Sequence, residues 1–180
     1  MSELVLARIG RLTVVKTIGF AIALAAAAQV AIPLPGTPVP ITLQPLLVVI
    51  AGFWLAPAAA VASMALYLAA GAIGFPVWAP LGLPGAARLL GPTGGYLLSY
   101  PVAAWVASVL SGPAASYRRR MLAAIAAMAV IYAGGLAQLA VVTGSLATAA
   151  VLGAAPFAAL DLLKCLVASA LGPRGPSEKL

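Results

Sequence analysis

The chain has 180 residues, 64% of them hydrophobic and only 7% charged, with a formal net charge of +7. Soluble domains sit near about 45–50% apolar and about 25% charged, and ten Lys/Arg with three Asp/Glu cannot solvate the surface of so large an apolar core. A water-soluble globule is excluded. The positive balance would suggest nucleic acid in a soluble protein, but here the cations flank apolar runs, so they read as topology signals against membrane lipid.

A membrane helix needs about 20 apolar residues. Between Lys16 and Arg88 lie 71 residues without Asp, Glu, Lys or Arg, room for three spans with their loops. A further 29 separate Arg88 from Arg118, room for a fourth, and 40 separate Arg120 from Asp161, room for a fifth and the start of a sixth. The spans are expected at 13–31, 43–56, 58–74, 94–110, 121–142 and 147–172, which makes residues 1–180 one all-α membrane domain of six transmembrane helices. The first apolar run exceeds the ~7–15 residues of a signal peptide and no stretch of soluble composition follows it, so it is expected to stay as a span. Pro33, Pro35, Gly36, Pro38 and Pro40 keep the first connection from being helical throughout. The second span is short for a full crossing, which predicts tilt or ends seated in protein. Pro57 marks a tight turn before the third. The third connection, Phe75 to Thr93, carries Pro76, Pro80, Pro84 and Pro92. Gly153-Ala154-Ala155-Pro156 interrupts the last run and predicts a short helix over 147–152, then a second starting near Pro156.

Positive charge sets orientation. With the N-terminus inside, Arg8, Arg11, Lys16, Arg118, Arg119, Arg120, Arg174 and Lys179 are cytoplasmic, Arg88 alone is external, and Lys164 lies within the membrane. Both termini are then cytoplasmic, in a multi-pass protein of the cell membrane. The long Pro/Gly-rich connections face outward. Their backbone needs hydrogen-bond partners that hydrocarbon lacks, so they are expected to cap the bundle over an outward-facing pocket.

Few residues offer chemistry. Asp161 and Lys164 are the only ionisable acid and base deep inside a span, Lys16 lying near the cytoplasmic end of the first, and their three-residue spacing puts them on one helical face. Charge at membrane depth is costly and marks a substrate or ion path by default; the alternative is a self-neutralising pair that fixes packing. Side by side they accept and donate hydrogen bonds, complementary to a cyclic urea or amide. Arg88 could meet a ligand carboxylate or anchor to lipid phosphate. Thr42 and Gln44 begin the second span, and Tyr96 and Tyr100 open the fourth. Phe75 and Trp78 could wall a ligand or sit in an aromatic belt. Gly91-Pro92-Thr93-Gly94-Gly95-Tyr96 lacks the Lys-Ser/Thr ending of a phosphate loop, so no nucleotide site is expected. Zero His and a single Cys leave no metal site, no disulfide framework and no catalytic dyad, so the chain does not read as an enzyme. Small residues at four-residue spacing in the first span (Gly19, Ala23 and Ala27, with Ala21 and Ala25 beside them) suit close helix approach, either within the bundle or against a partner.

Four segments carry a resemblance: Val39-Pro40-Ile41-Thr42-Leu43-Gln44, the stretch from Leu66 to Val77, Gly91 to Tyr96, and Pro156 to Lys164 with its Asp-Leu-Leu-Lys ending. In order and content they resemble the BioY family, the substrate-binding S components of energy-coupling factor (ECF) biotin transporters. The resemblance implies a six-helix protein that captures biotin from outside, using no cofactor. It also implies a transmembrane T component and two ABC-type ATPase subunits as partners. It assigns Asp161 and Lys164 to biotin, and Ala21 and Ala25 to docking on the T component. Biotin's ureido ring suits the Asp161–Lys164 pair, its apolar bicycle and tail suit Trp78, Phe75 and Tyr96, and its carboxylate suits Arg88; Gln44 and Thr42 complete the expected substrate-binding set. Two alternatives stay open: an S component for another vitamin, and a self-sufficient secondary biotin carrier.

Overall fold

The computed structural model describes residues 2–113 and 115–173, with side chains from Gly10 onward. Arg174 and Lys179, two of the cytoplasmic cations expected above, lie outside the described residues.

The chain is mainly helical, and the helices fall where the apolar runs predict. Helix α1 (Ser2–Gln29) is followed by α2 (Gln44–Trp54), α3 (Pro57–Ala72), a single turn α4 (Ala87–Leu90), α5 (Gly94–Ser111) and α6 (Tyr117–Thr143). The last run is broken as expected, into α7 (Leu146–Gly153) and α8 (Ala158–Leu171), bent by 57°. The second segment starts two residues past Pro156, which sits in the turn itself. Two features depart from an all-helical reading. The first connection forms a two-residue antiparallel ladder, β1 (Ala31–Ile32) with β2 (Ile41–Thr42), pairing Ala31 with Thr42 and Ile32 with Ile41. The third connection contains α4.

Local chemistry explains the boundaries. Pro57 occupies the first turn of α3, where its missing N–H costs nothing. Ser116 caps α6 by accepting from Arg119 N at 3.3 Å. Gly144, left-handed at φ 71°, ends α6, and Ser145 then accepts from Thr148 N to start α7.

Two helices, Gly10–Gln29 and Tyr117–Thr143, are each long and apolar enough to cross a membrane, and the bent α7–α8 pair makes a third candidate. Helix α2, at 11 residues, is only about 17 Å long at ~1.5 Å per residue. Large apolar side chains such as Val15, Ile22, Leu122, Val141 and Val151 are exposed around the bundle, which is the surface a lipid-embedded protein presents.

Helices α5 and α6 approach each other backbone to backbone. A Cβ on Gly95 would collide with the Gly134 carbonyl, and one on Gly134 would come within 2.8 Å of the Gly95 carbonyl and 2.9 Å of Ser99 Cβ. Glycine at both positions lets the helices touch backbone to backbone. Gly135 leaves room for the Tyr96 ring in the same way. The Gly94-Gly95-Tyr96 segment therefore works as a packing device that seats Tyr96. At the opposite end of the bundle, Arg120 is turned inward. It donates to Ser169 O at 2.8 Å and to Ala115 O and Pro173 O at 2.9 Å, tying the start of α6 to the end of α8. Arg118 and Arg119 stay exposed beside it.

Candidate functional site

A partly open cavity, with about 650 Å³ of empty space counting the solvent at its mouth, lies between the β1–β2 connection, the α3–α5 connection and helices α5, α6 and α8. Helix α8 supplies the charged pair. Lys164 Nζ lies 2.7 Å from Asp161 Oδ1, and both side chains are largely shielded from solvent at 11% and 8% exposure. The second carboxylate oxygen, Oδ2, accepts from Tyr132 Oη of α6 at 2.5 Å. The carboxylate is thus held by donors from two helices.

Arg88, on α4, also lines the cavity and is 6% exposed. It donates to the Leu81 carbonyl, and the loop wraps so tightly that a Cβ on Gly82, itself at φ 118°, would run into the guanidinium. The one ion pair among the described residues is Lys164–Asp161, so Arg88 has no carboxylate partner there. Burial pushes its guanidinium below the ordinary value, opposed only by the nearby Tyr67 and Tyr100 phenols. Such a group has lost hydration without gaining an anion.

The remaining wall is aromatic and braced by hydrogen bonds. Trp78 meets Tyr67 edge-on with ring centroids 5.1 Å apart and donates its indole N–H to Gly85 O at 3.0 Å. Gln44 donates to Tyr67 Oη at 2.6 Å, and Thr42 Oγ1 accepts from Gln44 N. Tyr96 Oη reaches Gly153 O at 2.9 Å, spanning from α5 to the α7–α8 break. Among the described residues no group of three His, Cys, Asp or Glu comes together. The polar lining therefore suits an organic ligand carrying a carboxylate and amide-like donors and acceptors.

The model of the BioY family matches residues 3–178. The chain belongs to the BioY family. Curated relatives include the probable biotin transporter BioY of Pyrococcus horikoshii, 36% identical over 137 residues, which is 76% of this chain and 80% of that protein. The biotin transporter BioY of Thermotoga maritima is 34% identical over 143 residues, 79% and 84% respectively. The fold is similar to the crystal structure of the S-component for biotin from an ECF-type ABC transporter, with a TM-score of 0.81 at 21% identity, covering 91% of this chain and 90% of that one.

Of the residues singled out from sequence, Asp161, Lys164, Arg88, Gln44, Thr42, Tyr96 and Trp78 all line this BioY-family cavity. Phe75 does not: it is 60% exposed and follows the left-handed Gly74 at φ 103°, a turn that leaves its ring on the outer surface. Ala21 is 6% exposed and belongs to the core, and Ala25 is half-buried against that core, so in this structure the Ala21 edge of the small-residue face packs inward. Gly19, by contrast, has nothing near its Cβ position. Tyr100, noted with Tyr96 at the opening of the fourth span, lines the cavity too, whereas Tyr132, Ile131 and Phe157 line it without having been singled out as site residues. Tyr132 carries no local pattern that separates it from any other tyrosine of a span; only the approach of α6 to α8 gives it a role.

Proposed function

We propose that this chain is the biotin-capturing membrane subunit of an ECF-type uptake system, binding biotin in the cavity between the outer connections and α8. The observation that carries the reading is the charge inventory of that cavity: one pair that neutralises itself and one buried guanidinium that has no anion among the described residues. A ligand that brings a carboxylate to Arg88 and N–H and C=O groups to Asp161 and Lys164 completes both. Biotin does so, and its apolar bicycle and tail suit Trp78, Tyr96 and Tyr100, with Thr42 and Gln44 at the cavity edge. The family's relatives are named as biotin transporters, which supports transport over catalysis.

In this reading the chain crosses the membrane six times as one domain, with α1, α2, α3, α5, α6 and the α7–α8 pair as spans and both termini cytoplasmic. The end bearing Arg11, Arg118 and Arg119 faces the cytoplasm, in keeping with the positive-inside rule. Energy comes from outside the chain, through a T component and two ABC-type ATPases, with the open side of the α1 small-residue face, at Gly19 and the half-buried Ala25, as the docking area rather than Ala21, which packs into the core.

Titration of the purified chain against a panel of vitamins tests the ligand. Saturable binding of biotin alone is expected, and selective binding of another vitamin would overturn the assignment. Biotin uptake by cells lacking every T component and ECF ATPase would overturn the partnership and favour a self-sufficient carrier.

A further inference from the structure

Tyr132 stands in an unusual relation to the charged pair. Lys164 sits three residues from Asp161 on the same helix and moves with it, whereas Tyr132 comes from α6. Its 2.5 Å bond to Oδ2 ties the carboxylate to a second helix. With Lys164 on Oδ1 at 2.7 Å, each oxygen has one protein donor. An ionised carboxylate offers about four acceptor sites, so roughly two stay open, and the two fixed bonds decide where they point. Tyr132 also borders the same cavity, and with its proton committed to Asp161 its oxygen presents only lone pairs.

We propose that Tyr132 is a positioning residue for ligand recognition: its phenol holds the Asp161 carboxylate so that the open lone pairs face the cavity, where a ureido N–H donates to them. The inference rests on the biotin reading above. It makes α6 part of the site and gives the pocket two adjacent acceptors beside one ammonium donor, complementary in kind to a urea's two N–H groups and one C=O.

Tyr132→Phe keeps the ring and removes only the hydroxyl. In the full chain, purified in detergent, biotin affinity measured by calorimetry is expected to fall about tenfold to a hundredfold, the range of one hydrogen bond to a charged group. Unchanged affinity would overturn the proposal. Asp161 is the only aspartate in the chain, so carboxyl-labelled aspartate gives an infrared band from this one side chain. That band is expected to shift in ligand-free Tyr132→Phe; weakened binding with an unshifted band would assign the loss to packing and overturn the positioning role. If the variant does not fold, a difluorotyrosine incorporated at position 132 retains the hydroxyl as a stronger donor. It is expected to shift the same band, and no shift overturns the proposal. Failure of the wild-type chain to bind biotin would refute the biotin reading instead, while the labelled band would still report on the Tyr132–Asp161 bond.

Discussion

Replacing Arg88 by Met, combined with removing the carboxylate from the ligand, tests the charge inventory from both sides. Arg88→Met alone is ambiguous, because the guanidinium also holds the Leu81 carbonyl and its loss can loosen the loop. The ligand-side change, biotin to its neutral amide, leaves the protein intact. One donor of the guanidinium is spent on Leu81, which leaves enough of its five N–H groups for a two-pronged contact with a carboxylate. A hydrogen bond to a charged group contributes about 1.5–3 kcal/mol. Two such bonds, less the cost of dehydrating the ligand carboxylate, leave about 2–3 kcal/mol, or roughly 30- to 150-fold in affinity. The wild-type chain should therefore bind biotin that much more tightly than the amide, and Arg88→Met should bind the two nearly equally. Isothermal titration of both proteins with both ligands gives the coupling directly. Equal affinity of the wild type for acid and amide, or the same discrimination in the variant, would refute the assignment of the carboxylate to Arg88.

The double variant Asp161→Asn/Lys164→Met avoids leaving one charge alone at membrane depth, so it should stay folded, yet it should lose about two to four orders of magnitude in biotin affinity if two charge-assisted bonds of about 1.5–3 kcal/mol each are made to the ligand; near-native affinity in a folded double variant would show that the pair only fixes packing. Gly95→Ala forces a Cβ onto the Gly134 carbonyl and should lower the melting temperature in detergent by the equivalent of about 1–3 kcal/mol. Gly19→Ala, with open space around it, should leave the melting temperature unchanged or slightly raised; equal effects would contradict the α5–α6 contact. Reporter fusions at the two termini should read cytoplasmic and one at Gly82 external, and a cytoplasmic signal at Gly82 would overturn the topology.

The long helices were legible because each depends on local pattern, whereas the α4 turn and the β1–β2 ladder were not. Uncharged runs located the helices, prolines located the connections, and Gly153 to Pro156 located the break between α7 and α8. Asp161 and Lys164 stood out because a charged pair inside an apolar span has few bland explanations. What stayed hidden depends on which way a side chain turns once helices meet. Three consecutive arginines, at about 100° per residue, must point in different directions, and nothing local tells that Arg120 turns inward while its neighbours stay exposed. Phe75 and Trp78 are both aromatics of the same connection, and the chain reversal at Gly74 separates their fates. The stripe containing Ala21 and Ala25 is degenerate for the same reason: small side chains suit a bundle interior and a partner interface equally well.

The bonds around the cavity differ in kind from one side to the other. Apart from the Arg88–Leu81 bond, the long connections are fastened by neutral groups, each to a backbone carbonyl: Thr37 to Leu152 O at 2.7 Å, Gln29 to Trp78 O at 3.1 Å, and Gln138 to Leu89 O at 2.9 Å and Gly91 O at 2.7 Å. Each contributes about 0.5–1.5 kcal/mol net, and each can be exchanged for water at an aqueous face. The helical side is held by the Gly95–Gly134 backbone contact and by the Tyr132–Asp161 bond between α6 and α8, whose separation would expose packed backbone and take a donor from a largely buried carboxylate. A ligand entering past the connections therefore breaks a few weak bonds one at a time, while entry between α5 and α6 would require parting the Gly95–Gly134 backbone contact. In the topology proposed above, this difference makes the connections, rather than the α5–α6 seam, the route by which the cavity exchanges its contents with the outer solution.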